Sequence, residues 1–524
     1  MTVSTLLPED VRPSRAGRER LPLPMLAAAL VVTLIMLVPL LFVAFATLEV
    51  GIAEAVRLIV RPRVGELLWN TARLAVGCML ASAVLGTAAA WLVERSNLPM
   101  RKLFNVLLVA PLAIPAFVNS YGWVSLMPSA AGFGGALVIV TLSYFPFVYL
   151  PVAASLRGLD PAHEEAARSL GHGAGRTFAR TVLPQLRPAI LGGALLVGLH
   201  ILAEFGALQM LRYPTFTTAI YDQYQSTFNG AAANMLAGVL VLCCLVLLLA
   251  ELRLRGRARY ARTGSGTARP IDRIRLGTMT VPALSGLVAL SALAIGVPLF
   301  SLGYWLAVGS SSTVDTELLL TSTGTSLTLG ALGALVTTVA ALPVAWLYVR
   351  RRGRVSTLLE RATYTGSALP GIVIALALVT IAVRLTPALY QTTVLVIVAY
   401  LILFLPRAVV NVRATLAQTP PVLDDVAQSL GAGRLATLGR VTLPLIAPGL
   451  GAGAALVFLG VVTELTATLL LAPTGTQTLA TQFWTYSDSV DYGAAAPYAA
   501  LMVLISAPAT YLLSREARRS VTAS

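Results

Sequence analysis

The chain has 524 residues, of which 57% are hydrophobic and only 12% charged, with a formal net charge of +15. A soluble globular domain carries about 25% charged residues, so half that fraction leaves too little polar surface for water and excludes an ordinary soluble protein. The positive excess raises the question of a nucleic-acid partner, which the placement of the arginines answers.

About 20 consecutive apolar residues cross a bilayer. Twelve such spans are read in chain order, at 25–47, 67–93, 103–126, 133–157, 188–209, 232–252, 278–308, 322–349, 361–384, 391–412, 446–470 and 495–513. Basic residues precede the first, as in a secretory signal. The run Pro24–Ala46 is longer than a signal's apolar core of about 7–15 residues and shows no small-residue cleavage site, so it reads as a retained span. Proline and glycine interrupt the third and ninth spans, which are expected to be kinked or partly non-helical. Cys78, Cys243 and Cys244 fall inside apolar stretches without zinc-ligand spacing and read as packing residues; no metal site is assigned. The expected fold class is an all-α polytopic membrane protein.

Arginine sets the orientation. With twelve spans both termini share one side, and assigning that side to the cytoplasm puts about 32 of the 38 Lys and Arg residues there. They include Arg12, Arg15, Arg18, Arg20, Arg95, Arg101, Lys102, the linker Arg253–Arg275, Arg350, Arg351, Arg352, Arg354, Arg515, Arg518 and Arg519. The other side holds Arg57, Arg61, Arg63, Arg212 and Arg384. The charge is thus a topology signal scattered over short segments, which excludes a nucleic-acid footprint, and the basic linker is suited to touch anionic lipid. The expected location is the cell membrane, multi-pass, with both termini cytoplasmic.

The linker separates two related halves. Trp91 matches Trp346 and Pro115 matches Pro370, each pair 255 residues apart. Further on, Pro146 matches Pro406, Pro161 matches Pro421, Gly171 matches Gly431, Pro184 matches Pro444 and Glu204 matches Glu464, all 260 apart, so five residues are inserted between the third and fourth spans of the second unit. Units of six spans share one orientation, a parallel repeat with a pathway expected between the copies. The expected division is a first half at 1–252, a basic linker at 253–277 and a second half at 278–524.

Between spans four and five lies Asp160-Pro-Ala-His-Glu-Glu-Ala-Ala-Arg-Ser-Leu-Gly171, and the second copy reads Thr419-Pro-Pro-Val-Leu-Asp-Asp-Val-Ala-Gln-Ser-Leu-Gly431. Asp160 or Thr419 is suited to cap a helix with proline in its first position. Acidic residues in the first turn favour the dipole, and Gly171 or Gly431 suits the left-handed stop. A helix of about nine residues, roughly 13 Å long, is expected, then a second short helix, Arg176–Leu183, leading through Pro184 into the next span. A surface loop that merely links spans would not need two copies at matching places.

Glu-Ala-Ala, three residues, Gly and a downstream Leu-Pro resembles the signature of permease subunits of binding-protein-dependent ABC importers. Glu165, Ala166, Ala167, Gly171 and Pro184 match it; in the second half Ala427, Gly431 and Pro444 match, while Asp425 replaces the glutamate and Val426 the first alanine. The resemblance covers nearly the whole chain. It implies that these helices dock into two ATPase subunits, the second on a shorter acidic arm, and that an extracytoplasmic substrate-binding protein delivers the cargo. No P-loop is present: the sole lysine, Lys102, stands in Met-Arg-Lys-Leu. ATP and magnesium are therefore expected to be used by the ATPase partner, with no cofactor bound by this chain and no enzyme activity of its own.

The segments Pro111–Val118, Ala203–Tyr213, Phe216–Tyr224 and Thr463–Thr468 resemble fused permeases for ferric iron. Fused thiamine permeases share the two-half plan, and an ion-coupled secondary transporter is the rival from another class, though it has no need of docking loops. Glu204 and Glu464 stand at equivalent depths in apolar spans, where an ionisable residue usually faces a cavity or a partner. Two readings are open: they line the pathway of a cation, or they hydrogen-bond the backbone of a neighbouring broken helix. Tyr213, Tyr221, Asp222 and Tyr224 lie just beyond, as oxygen ligands for a hard cation or as interfacial anchors. His200, four residues before Glu204, is placed to pair with it; His163 and His172 belong to the loop, and Arg73 reads as snorkelling or paired.

Overall fold

A computed structural model describes residues 23–51, 56–57, 60–159, 162–225, 230–255, 273–309, 315–351, 353–420 and 422–519. Arg12 to Arg20, Asp160, Pro161, Pro421 and most of the basic linker lie outside the described residues. The first part comprises α1 (Leu23–Val50), α2 (Pro62–Arg95), α3 (Arg101–Leu107), α4 (Ala116–Leu126), α5 (Phe133–Tyr144), α6 (Pro146–Gly158), α7 (Ala162–Ser169), α8 (Ala174–Thr177), α9 (Leu183–Ala203), α10 (Gly206–Met210), α11 (Phe216–Gln225) and α12 (Gly230–Arg255). The second comprises α13 (Thr280–Ser291), α14 (Val297–Val308), α15 (Thr316–Arg350), α16 (Arg354–Thr363), α17 (Gly371–Leu385), α18 (Thr393–Gln418), α19 (Val422–Ser429), α20 (Arg434–Thr437), α21 (Leu443–Val462), α22 (Thr466–Leu471), α23 (Leu479–Asp488) and α24 (Tyr492–Arg519).

Among the described residues eight helices are long and apolar enough to cross a membrane, eleven if each bent pair counts as one span, and Tyr492–Pro508 is a shorter apolar helix. This is an all-α polytopic membrane protein. In the third expected span the two helical segments meet at 92°. Pro115 causes the break: it has no N–H to continue a helix and forces Ile114 into an extended conformation (ψ 113°). Leu369 before Pro370 does the same (ψ 120°). The five residues inserted in the second copy lengthen α17 to 15 residues, against 11 in α4, and extend the turn that follows.

Two expected spans are corrected. The segment read as 188–209 is a helix from Gly175 to Ala203 that breaks at Glu204, and the one read as 446–470 runs from Leu438 to Val462 and breaks before Glu464. Apolar composition continues across each break, so hydropathy alone merged a long helix with the short one after it.

Helices α2, α6 and α9 pack together, and α15, α18 and α21 repeat the arrangement. The outer helices cross over. Helix α1 packs on α12 but also on α15, α16 and α17, and α14 packs on α4 as well as on α24. Met36 of α1 is fully buried, and the Ser125 hydroxyl in α4 meets that of Ser301 in α14 at 2.8 Å. One apolar core therefore runs through both parts of the chain, taking in Phe117, Tyr121 and Phe205 together with Phe483, Trp484 and Ala496. The far end of the linker returns beside α2: Ile274 N–H donates to the Arg95 carbonyl (2.9 Å) and Asn97 N–H to that of Ile274 (3.1 Å).

Candidate functional site: two loop helices and a central seam

The two loop helices correspond in sequence register. Helices α7 and α19 have eight residues each, and α8 with α20 and the starts of α9 with α21 and of α10 with α22 repeat at an interval of 260 residues. Both end in the same motif. Gly171 has φ +83° and Gly431 φ +87°, a left-handed conformation that costs glycine nothing. His172 N–H donates to the Ala167 carbonyl (3.1 Å) and Ala432 N–H to that of Ala427 (3.0 Å), the closing bond of a Schellman stop. A Cβ at either glycine would meet no atom within 4 Å, so both stops stand in open space.

The entry to α19 differs from expectation. Thr419 does not cap it: its hydroxyl donates back to the Thr415 carbonyl (3.2 Å) at the end of α18, and α19 begins at Val422. The exit differs too. No separate helix spans 176–183. Helix α8 passes through a π-helical turn, Phe178–Val182, directly into α9, and α20 passes through Leu438–Thr442 into α21. Pro184 and Pro444 follow these turns. A proline removes one i→i−4 bond and crowds the preceding turn, and the wider turn takes up that strain without breaking the helix.

Each loop helix is tied to the end of a long helix. Arg95, the last residue of α2, has its side chain 4% exposed and lies 2.7 Å from Glu164. Arg350, the last residue of α15, lies 3.3 Å from Asp424 and donates to the Thr419 carbonyl (3.1 Å). The Thr442 hydroxyl donates to the second oxygen of Asp424 (2.8 Å), a contact Val182 cannot make in the first half. The neighbouring acids Glu165 and Asp425 are exposed, as are Ala166 and Val426, while Ala167 is buried and Ala427 half-buried. Leu170 and Leu430 stand 79% and 82% exposed beside them. Each helix thus holds one acid inward and offers its neighbour, with a leucine, outward. The His163 side chain is outside the described residues.

Glu204 and Glu464 sit where α9 and α21 stop. The Glu464 carboxylate accepts from the backbone N–H of Ala467 (2.9 Å) and Thr468 (3.0 Å) and from the Thr468 hydroxyl (2.9 Å), so it caps α22. Glu204 accepts from Ala207 N–H (3.0 Å) and from the Tyr144 hydroxyl. Its backbone carbonyl accepts from Thr217 (2.6 Å). His200 does not pair with Glu204. Because the helix ends at Ala203, the i,i+4 geometry is lost, and the His200 ring bonds through Nδ1 to the Leu196 carbonyl (2.8 Å).

Beyond the glutamates the two parts of the chain meet in an aromatic seam. Phe205 packs at a tilt on Trp484 (5.3 Å) and Phe117 on Phe483 (5.4 Å), Tyr121 meets Phe483 edge to face (5.3 Å), and Tyr121 donates to the Tyr492 carbonyl (2.6 Å). Gly206 allows a close approach, since a Cβ there would lie 2.9 Å from Leu465 and from Phe117. A cavity of about 170 Å³ opens above the seam, lined by Tyr121, Gln209, Arg212, Trp484, Asp488 and Tyr492. Tyr213 is buried elsewhere: it accepts from Arg73 Nε (2.6 Å) and donates to the Asn70 carbonyl (3.1 Å), and Arg73 lies 4.5 Å over the Phe133 ring. Asp222 is exposed on α11; partial desolvation raises its carboxyl above the ordinary value, against a hydrogen bond from Gln209 and the charge of Arg63. Among the described residues no cluster of three His, Cys, Asp or Glu forms a metal site.

Sequence reading missed the Arg95–Glu164 and Arg350–Asp424 ties, although both members repeat at the intervals of the two halves. It also missed Arg407, a charge inside an apolar span.

A multi-pass helical bundle of two repeats with paired loops fits a membrane transport permease. The chain matches the model of binding-protein-dependent transport system inner membrane components twice, over residues 82–260 and 338–519, and belongs to that family. It is 40% identical over 485 residues to the Fe(3+)-transport system permease protein FbpB 2 of Haemophilus influenzae, covering 91% of this chain and 95% of that one. It is 22% identical over 463 residues to the ferric transport system permease protein FbpB of Actinobacillus pleuropneumoniae, covering 81% and 67%. The sulfate transport system permease protein CysT of Escherichia coli is 29% identical over 249 residues, 44% of this chain and 90% of that one.

Proposed function

We propose that this chain is the translocating subunit of an ABC importer for ferric iron, with both termini cytoplasmic. Helices α7 and α19 dock on two ATPase subunits, which bind and hydrolyse ATP with magnesium, and a binding protein delivers cargo at the opposite face, above the aromatic seam. The chain divides into halves at 1–252 and 278–524, and the pathway runs between them. The carrying observation is the duplication of one device: a short helix with an open left-handed glycine stop, an outward acid, and an inward acid held by the last arginine of a long helix. A subunit without an engine receives force through a rigid contact, and such a tie transmits movement of the loop to the spans.

The cargo reading rests on the relative named for Fe(3+) transport, which aligns along nearly the whole of both chains. The sulfate-named relatives align over less than half of this chain. Glu204 and Glu464 act mainly by capping the broken helices that shape the seam, so the pathway is formed by the seam and not by two free carboxylates. The test is uptake of ⁵⁵Fe³⁺ into proteoliposomes holding this chain and its ATPase, with the binding protein and ATP supplied. ATP-dependent accumulation of iron is expected; accumulation of labelled sulfate or thiamine in its place overturns the cargo assignment.

A further inference from the structure

Arg407 is a charge that the docking device and the glutamate caps do not use. It lies in α18, eleven residues before the helix ends at Gln418 and five before the expected end of that span at 412, about 8 Å inside the span. The equivalent position in the first half is Phe147, so the charge breaks the repeat. Pro406, Ala408 and Val409 are buried, yet Arg407 is exposed. Its side chain is therefore accessible and not closed into the packed core.

Two side chains of the opposite half lie within reach of its charge. Arg407 is close enough to Tyr144 and His200 for its charge to act on both. His200 stacks on Phe147 at 4.3 Å and lies 5.4 Å from the Tyr144 ring, while the guanidinium sits 5.4 Å from the Phe404 ring on its own side. No acid neutralises it: among the described residues Arg407 makes no ion pair. The Tyr144 hydroxyl is given to Glu204, and His200 Nδ1 to a backbone carbonyl. By contrast Arg73, Arg157 and Arg413 each hold a partner: Tyr213, Glu94 and Glu360.

An ionisable residue inside a membrane span usually faces the bundle interior or a water-filled cavity and marks a pathway. Its sign bears on the cargo, because a bare trivalent cation feels three times the repulsion of a monovalent one. A guanidinium presents a planar fork of donors that matches phosphate and carboxylate oxygens.

We propose that Arg407 is an oxyanion-accepting subsite in the pathway between the halves, and that iron passes it complexed by an oxyanion and not as the bare ion. The second clause rests on the ferric reading; the subsite itself does not. In the first arm of the test, the purified complex with the ATPase is titrated with radiolabelled inorganic phosphate. Wild type is expected to bind one phosphate per chain more than Arg407→Leu, with Arg407→Lys retaining that site at least tenfold more weakly. Equal binding by wild type and Arg407→Leu overturns the subsite. In the second arm, proteoliposomes with binding protein and ATP receive ⁵⁵Fe³⁺ with labelled phosphate or labelled citrate. One anion is expected to enter in constant ratio to iron, with iron uptake at least tenfold lower in Arg407→Leu at equal ATPase co-purification. Iron entering with neither anion overturns the complexed cargo. Absence of iron uptake in either form, with Arg407-dependent phosphate binding intact, removes the iron assignment and leaves the subsite standing.

Discussion

Arg95 and Glu164 form an ion pair at 2.7 Å that joins the end of α2 to α7, and Arg350 repeats it with Asp424 at 3.3 Å between α15 and α19. The arginines lie 255 residues apart and the acids 260, so the pairing is kept across an insertion that falls between them in the chain. A contact held through such a shift fixes where each loop helix sits relative to its bundle.

This separates the two adjacent acids of the first loop. Glu164→Gln removes the counter-charge of a nearly buried guanidinium, at a local cost of about 1–3 kcal/mol once the partial exposure of Glu164 is discounted. Iron uptake is expected to fall while the ATPase still co-purifies. Glu165→Gln, on the exposed side, is expected to weaken ATPase co-purification and leave the melting temperature unchanged. Identical effects of the two substitutions would mean that the tie does not distinguish them.

Bulky side chains at the open glycine stops test docking. Gly171→Trp and Gly431→Trp meet no neighbour in this chain but force a left-handed backbone, at about 1–2 kcal/mol. Each is expected to reduce ATPase co-purification, Gly171→Trp more so, because its loop carries the longer outward acid. Unchanged binding and transport in the double variant would remove these loops as the docking site.

Glu464→Ala orphans the N–H groups of Ala467 and Thr468, whereas Glu464→Gln keeps one acceptor oxygen. The expected losses are about 2–4 and about 1 kcal/mol, read as melting temperature in detergent. Equal transport defects with no change in melting would instead assign the carboxylate to cargo.

The seam is expected to open when overfilled. In Gly206→Val the new side chain collides with Leu465 and Phe117, at about 1–3 kcal/mol. A cysteine introduced at buried Ser487 should then react several-fold faster with an impermeant maleimide. An unchanged rate would place closure elsewhere.

Much of the site was legible because it is written locally and twice. Gly171 and Gly431 announce a left-handed stop from their position after an acidic, alanine-containing run, and they sit there. The start of α19 was misjudged because Thr419 finds a nearer partner in the Thr415 carbonyl, a competition that local spacing does not reveal. The span boundary at Glu204 was misjudged because hydropathy counts apolar residues and is blind to a carboxylate folding back on backbone N–H groups.

The membrane class, the repeat and the paired loops can be read from the chain alone, since they depend on composition, periodicity and helix-end chemistry, all short-range properties. Which acid turns inward to Arg95, that α1 and α14 cross between the halves, and that Arg407 makes no ion pair among the described residues emerge from the folded bundle. Those depend on which distant residues burial brings together, and a residue's charge or size does not specify its neighbour.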